Sequence, residues 1–86
     1  MSEVELQVLL LRALNTVSGS MFEDLDLDAS VEDLGLDSLG LTEMILFLED
    51  HTGAEIPEAV LDQLAGVDSV RRFHEVLAGH FVGEPA

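Results

Sequence analysis

The residues best suited to chemistry lie between Asp24 and Asp50. Asp24, Asp26 and Asp28 alternate as the first ligands of a calcium-binding loop do. Counted from Asp24, the sixth position of such a loop should be glycine and is Ala29. The twelfth should be a bidentate glutamate and is Gly35. Lacking both, the stretch is expected to be a solvated acidic loop, with no dedicated metal site. His51, His74 and His80 have no ligand spacing. His74 and His80 are six apart and do not share a helix face, so all three are expected at the surface or at helix ends. Ser38 lacks a G-x-S-x-G setting and a nearby base, which leaves a nucleophile elbow unsupported. Carboxylates are too abundant for any pair to mark a general acid and base. What remains is Asp33-Leu34-Gly35-Leu36-Asp37-Ser38-Leu39, where a turn glycine delivers a serine to a helix start, with acid around it and an apolar side chain after it. Taken alone, that pattern is an N-cap, with Ser38 capping and Asp37 adding negative charge where the helix dipole favours it.

The elements around this stretch follow from apolar spacing at about 100° per residue. Residues 3–18 place Leu6, Leu9, Leu10, Ala13, Leu14 and Val17 on one face and Val4, Val8 and Leu11 nearly opposite. That second strip is either covered by the following connection or left open as a contact patch. Gly19 is a helix stop. Residues 19–37 show no helical period, but Met21, Phe22, Leu25, Leu27, Val31, Leu34 and Leu36 would anchor a packed crossover, with Ser30-x-x-Asp33 suggesting a short helical turn. A second helix is expected over 38–52, with Leu41, Met44, Ile45 and Leu48 inward. Leu39, Thr42, Glu43, Leu46 and Asp50 lie on the opposite face, with Phe47 beside them. Gly40, costly in a helix by about 1 kcal/mol relative to Ala, suggests close approach of another backbone. After Ile56-Pro57 a short helix over about 58–64 precedes one over about 69–81, capped by Asp68 or Ser69, with Val70, Phe73, Val76, Leu77 and Phe81 inward. No segment alternates with a strand's period of two. The expected fold is all-α, a small four-helix bundle of three longer helices and one short one with a long first loop.

Composition bounds the function. The chain has 86 residues, 18 Asp+Glu against 3 Lys+Arg, a formal net charge of −15, and no Cys, Trp or Tyr. One domain fits that length, read as residues 1–86 with an ordered core from about 3 to 82 and a flexible tail at 83–86. With 48% apolar residues it is not a disordered acidic tail. Three cations and no stacking platform exclude nucleic acid as a partner, and the charge opposes anionic lipid. No Cys means no disulfide, thiolate site or Cys nucleophile. The start is neither basic nor continuously apolar, and no run approaches a membrane span, so a cytoplasmic, free-standing monomer is expected. An apolar strip of Leu39 and Leu46 edged by Glu43 and Asp50 suits a partner with a basic-rimmed groove.

The stretch Val31-Glu32-Asp33-Leu34-Gly35-Leu36-Asp37-Ser38-Leu39, continued by Glu43, Ile45, Leu48 and Glu49 and then by Glu55-Ile56-Pro57, resembles the acyl carrier and peptidyl carrier protein family. The resemblance runs from about residue 4 to 82. It implies a non-enzymatic shuttle in which Ser38 bears a 4'-phosphopantetheine arm installed by a phosphopantetheinyl transferase, with Asp37 presenting the serine. The arm's thiol would carry acyl or aminoacyl thioesters to loading, synthase or transferase enzymes with basic patches. Leu39, Leu46 and Phe47 would be apolar partner contacts, and Glu43, Glu49 and Asp50 charged ones. Ile56 and the third helix would line the route along which arm or cargo lies. Thr52, the Leu41-Thr42 order, the bulk of Phe47 and the segment 61–68 depart from the bacterial fatty-acid pattern. They fit a dedicated carrier in polyketide or nonribosomal peptide assembly better than housekeeping fatty acid synthesis. Two other readings fit the residues less completely: an unmodified acidic module docking a basic partner, and a calcium-responsive helical protein.

Overall fold

A computed structural model describes residues 2–82, so the expectation for the tail at 83–86 lies outside the described residues. Four helices follow in order: α1 (Glu3–Ser18), α2 (Ser38–Thr52), α3 (Glu58–Ala65) and α4 (Val70–Phe81). Their lengths of 16, 15, 8 and 12 residues are three longer helices and one short one, as the apolar spacing predicts. Each start has a chemical cause. Ser2 and Glu5 form a reciprocal capping box on α1, Glu5 N–H donating to Ser2 Oγ at 3.1 Å and Ser2 N–H to Glu5 Oε1 at 3.4 Å. Pro57, fixed in φ and lacking an N–H, precedes α3. Ser69 Oγ accepts from Arg72 N–H at 3.1 Å on α4. Gly19 and Gly53, at φ 69° and 71°, end α1 and α2 in the left-handed region.

The helices share one apolar core. Leu6, Leu10 and Leu14 of α1 meet Leu48 of α2, Leu64 of α3 and Leu77 of α4, all essentially excluded from solvent. Burying each such side chain contributes about 1.5–3 kcal/mol. On α1, Leu9 and Val17 are only half-buried, and on α4 Val76 and Phe81 likewise. His74 lies on the inward face with Val70, Phe73 and Leu77. It is 4% exposed and its Nε2 has no hydrogen-bond partner, which corrects its placement at the surface. The buried arc of α4 therefore steps 70, 73, 74, 77, a stripe rotated by part of a turn from the expected one.

The long connection is packed, though not by all of its expected anchors. Val31 and Leu36 are buried and Leu25, Leu27 and Leu34 half-buried, whereas Met21 is 94% and Phe22 38% exposed. Its later half is stitched to the start of α4: Val31 N–H donates to Asp68 O, Val70 N–H to Ala29 O and Arg71 N–H to Leu27 O, at 3.0, 3.1 and 3.2 Å. These bonds include an isolated antiparallel bridge between Ser30 and Ser69. Ser30 and Asp33 exchange side-chain bonds, Asp33 N–H donating to Ser30 Oγ at 2.9 Å, but they close a turn over 31–35 and no helix forms.

Candidate functional site

The turn after Ser30 aims the chain at α2. Gly35 N–H donates to Glu32 O and Leu36 N–H to Val31 O, with Gly35 at φ 76°, a conformation that favours glycine. Leu36 turns inward and is 8% exposed, and Leu41 opposite it is equally buried. This pair brackets the helix start as a hydrophobic staple, one residue before the cap and four inside it. The cap is accordingly Asp37, whose Oδ1 accepts Gly40 N–H at 2.8 Å. Ser38, expected to cap, is instead the first helical residue. The staple was the signal in the sequence that could have told the two apart: with Ser38 as cap, the bracketing pair would be Asp37 and Thr42, which have no apolar contact to make. Gly40 is buried, and a Cβ there would come within 3.2 Å of Leu36 Cδ2 and 3.4 Å of Asp37 Oδ1. The close approach is thus by the staple and the cap side chains, not by another backbone.

This displacement has a chemical consequence. Since Asp37 satisfies the helix end, Ser38 is exposed and its hydroxyl has no intramolecular hydrogen bond among the described residues. The hydroxyl stands on the first turn of a 15-residue helix, where the dipole and the open N–H groups favour an anionic substituent. A phosphodiester on this oxygen would break no existing bond, so the residues present fit such a group.

From Ser38 a cleft of about 290 Å³ runs between α2 and α3. Its walls include Leu41, Thr42, Ile45, Leu46, Leu61 and Leu64, with Glu49 farther along α2. The neighbouring core holds a void of only about 10 Å³ among wholly apolar side chains. The outer face of α2 carries Leu39 and Leu46, 64% and 56% exposed, with Glu43 and Asp50 exposed beside them. Phe47 is half-buried and stacks on His51, ring centroids 4.9 Å apart. Two expected partner contacts sit differently. Ile56 is 2% exposed and packs into the core, so its side chain does not line the surface. Glu49 is half-buried and its Oε2 accepts Ile56 N–H at 2.8 Å, which ties the loop before α3 to α2.

The acidic loop is organised by its own bonds. Asp26 Oδ1 accepts Asp28 N–H at 3.0 Å, and Asp28 pairs with Arg71 at 2.7 Å. Among the described residues no three His, Asp or Glu side chains are grouped to hold a metal ion.

Residues 6–73 match the family model described as phosphopantetheine attachment site. The chain is similar to the acyl carrier protein of Helicobacter pylori strain G27, 36% identical over 61 aligned positions, a match covering 62% of this chain and 78% of that one. It is similar to the acyl carrier protein of Wolinella succinogenes, 42% identical over 45 residues, a match covering 52% of this chain and 59% of that one. Among solved structures it resembles the acetyl actinorhodin acyl carrier protein from Streptomyces coelicolor, with a TM-score of 0.62 and 35% identity, covering 85% of this chain and 86% of that one. The chain belongs to the acyl carrier protein family, whose prosthetic group is a covalently attached 4'-phosphopantetheine. Members of that family carry substrates for partner enzymes and are not themselves catalysts.

Proposed function

We propose that this carrier bears its 4'-phosphopantetheine on Ser38 and shuttles acyl or aminoacyl thioesters between enzymes in the cytoplasm. The observation that carries the assignment is the exposed, unpartnered Ser38 hydroxyl at the start of α2, freed because Asp37 caps the helix. A phosphopantetheinyl transferase would transfer the arm from coenzyme A, the serine oxygen forming a new bond to phosphorus as the nucleotide leaves. When attached, the group supplies the thiol that this Cys-free chain lacks. The polypeptide's part is to hold the serine oxygen clear of solvent-excluding neighbours, to offer helix N–H groups to the phosphodiester, and to provide the cleft between α2 and α3 along which arm or cargo can lie. Leu39, Leu46, Glu43 and Asp50 form the face offered to partners with basic patches, with the exposed edges of Phe47 and Glu49 beside it.

A dedicated role in polyketide or nonribosomal peptide assembly is favoured over housekeeping fatty acid synthesis. Phe47 and Thr52 at the end of α2 support it, as does the likeness to a carrier of the actinorhodin type. Incubation with coenzyme A, magnesium and a broad-specificity transferase should add the mass of one arm to the intact chain and none to Ser38→Ala. No gain overturns the assignment and leaves an unmodified docking module; a gain that survives Ser38→Ala overturns it by placing the arm on another residue.

A further inference from the structure

We propose that the cleft between α2 and α3 selects aminoacyl cargo, Glu49 receiving the ammonium group next to the thioester; this rests on the arm being attached at Ser38. Ser38, Thr42, Ile45 and Glu49 stand at i, i+4, i+7 and i+11 and so form one row along α2. All four line the cleft of about 290 Å³, together with Leu61 and Leu64 of α3. Apart from Ser38, the polar side chains in its walls are Thr42 and Glu49, and both are left only to accept. Thr42 Oγ1 spends its hydrogen on Ser38 O at 2.9 Å and keeps its lone pairs. Glu49 Oε2 accepts Ile56 N–H at 2.8 Å, while Oε1 has no hydrogen bond or ion pair among the described residues. An apolar cleft with side-chain acceptors and no side-chain donor fits an occupant that brings its own donors.

Spacing gives each acceptor a partner. The helix rise puts Thr42 about 6 Å and Glu49 about 16 Å along α2 from Ser38. A pantetheine arm, counted bond by bond at the reach of an extended chain, sets its carbinol hydroxyl and first amide N–H about 6–8 Å from the serine oxygen and its sulfur about 17 Å away. Thr42 is therefore level with the first donors of the arm, and Glu49 with the thioester. A donor on the carbon next to the thioester carbonyl falls within reach of Glu49. A hydroxyl there offers one neutral donor. An ammonium offers three N–H groups and a charge, and charge-assisted bonds are about twice as strong as neutral ones. The chain's own cations do not compete. Among the described residues the cleft walls include no Arg or His; Arg71 pairs with Asp28, Arg72 with Glu75, and Arg12 is on α1. A carboxylated acyl group would meet Glu49 with no cation to receive it, on a chain of net charge −15, and would stay in solvent.

The test loads the full chain, through a broad-specificity transferase, with arms bearing alanyl, lactyl or propionyl groups. These differ only in carrying an ammonium, a hydroxyl or a hydrogen beside the carbonyl, and an amide in place of the thioester keeps them attached. Ile56 N–H is the built-in reporter, since it shares the Glu49 carboxylate. Relative to the unloaded arm, the alanyl group should shift the Ile56 amide resonance at least threefold more than either of the others. It should also show nuclear Overhauser contacts to the methyl groups of Ile45 or Leu61. Glu49→Gln keeps an acceptor for Ile56 but removes the charge, and should abolish the difference. Circular dichroism checks that this variant remains folded, and the wild-type series stands without it. Equal Ile56 shifts from the three groups, or a difference that survives Glu49→Gln, overturn the inference while the arm on Ser38 stands. So does an Ile56 shift already complete with the unloaded arm, which would give Glu49 to the arm's own second amide. Intact mass keeps the two levels apart: no gain of mass at Ser38 overturns the proposed function itself, and the cargo inference with it.

Discussion

At Asp37 and Ser38, two adjacent residues with similar capping ability take different work. Both types cap helices well, and what decides between them is the apolar pair Leu36 and Leu41, which can meet only if the cap lies at 37. Stability measurements should show the division directly. Asp37→Ala should cost about 1 kcal/mol, and thus lower Tm by about 4–8 °C in a domain of this size. Asp37→Asn, which retains an acceptor oxygen, should cost only a few tenths of that. Ser38→Ala should change stability by less than about 0.5 kcal/mol, because its hydroxyl bonds nothing among the described residues. Denaturant unfolding of the three variants checks the order; a larger loss from Ser38→Ala than from Asp37→Ala would return the cap to the serine. The same logic makes Asp37→Asn the informative variant for arm transfer, since it keeps the cap while removing the charge beside the oxygen proposed to take the arm.

At the level of elements, the helices were legible because their signals are local and redundant. Apolar spacing, Gly19, Gly53 and Ile56-Pro57 all act within a turn or two of the residues that they position. The irregular connection has no such periodicity. Its side chains settle where the backbone bonds to Asp68 and α4 put them, which is why Val31 and Leu36 are buried while Met21 and Phe22 stay out. His74 was missed because a polar residue at the centre of an apolar arc is indistinguishable in sequence from one at its edge until the rotation of α4 is known. Ile56 and Glu49 were missed as a structural pair because seven residues and a helix end separate them. Their bond should be measurable. Glu49→Ala leaves the N–H of a buried residue without its acceptor and should cost about 1–2 kcal/mol, while Glu49→Gln keeps an acceptor oxygen and should lose less. The link between Arg71 and Asp28 should behave otherwise. Its side chains are 55% and 87% exposed, respectively, so Asp28→Asn should cost well under about 1 kcal/mol, the backbone bonds beside it holding the connection. Equal losses from Glu49→Ala and Asp28→Asn would show that the connection depends on the surface pair.

Across the whole molecule the excess of carboxylates acts on every element at once. A formal −15 is confined within a radius of gyration of 11.9 Å, and only two ion pairs occur among the described residues. Two like charges about 15 Å apart repel by about 0.3 kcal/mol in water, small for one pair but repeated over many. Unfolding spreads the carboxylates and relieves the repulsion, so charge works against the compact state, while in the proposed role it would steer basic partners towards α2. The screening length decides how much of this is felt. At about 10 mM salt it is roughly 30 Å, comparable to the molecule, and near 1 M it is only about 3 Å. Raising salt from about 10 to about 500 mM should therefore stabilise the fold by at least about 1 kcal/mol, a rise of roughly 4–8 °C in Tm. Magnesium should achieve this at lower concentration, because a divalent ion screens more strongly at equal molarity. Thermal unfolding followed by circular dichroism across that range checks the sign. A flat response would mean that the repulsion is no greater in the folded chain than in the unfolded one. The same titration with a basic partner present should move the other way, since the salt that steadies the carrier loosens its α2 face from that partner. Stability rising while affinity falls, over one salt range, is the signature expected if a single excess of carboxylates governs both.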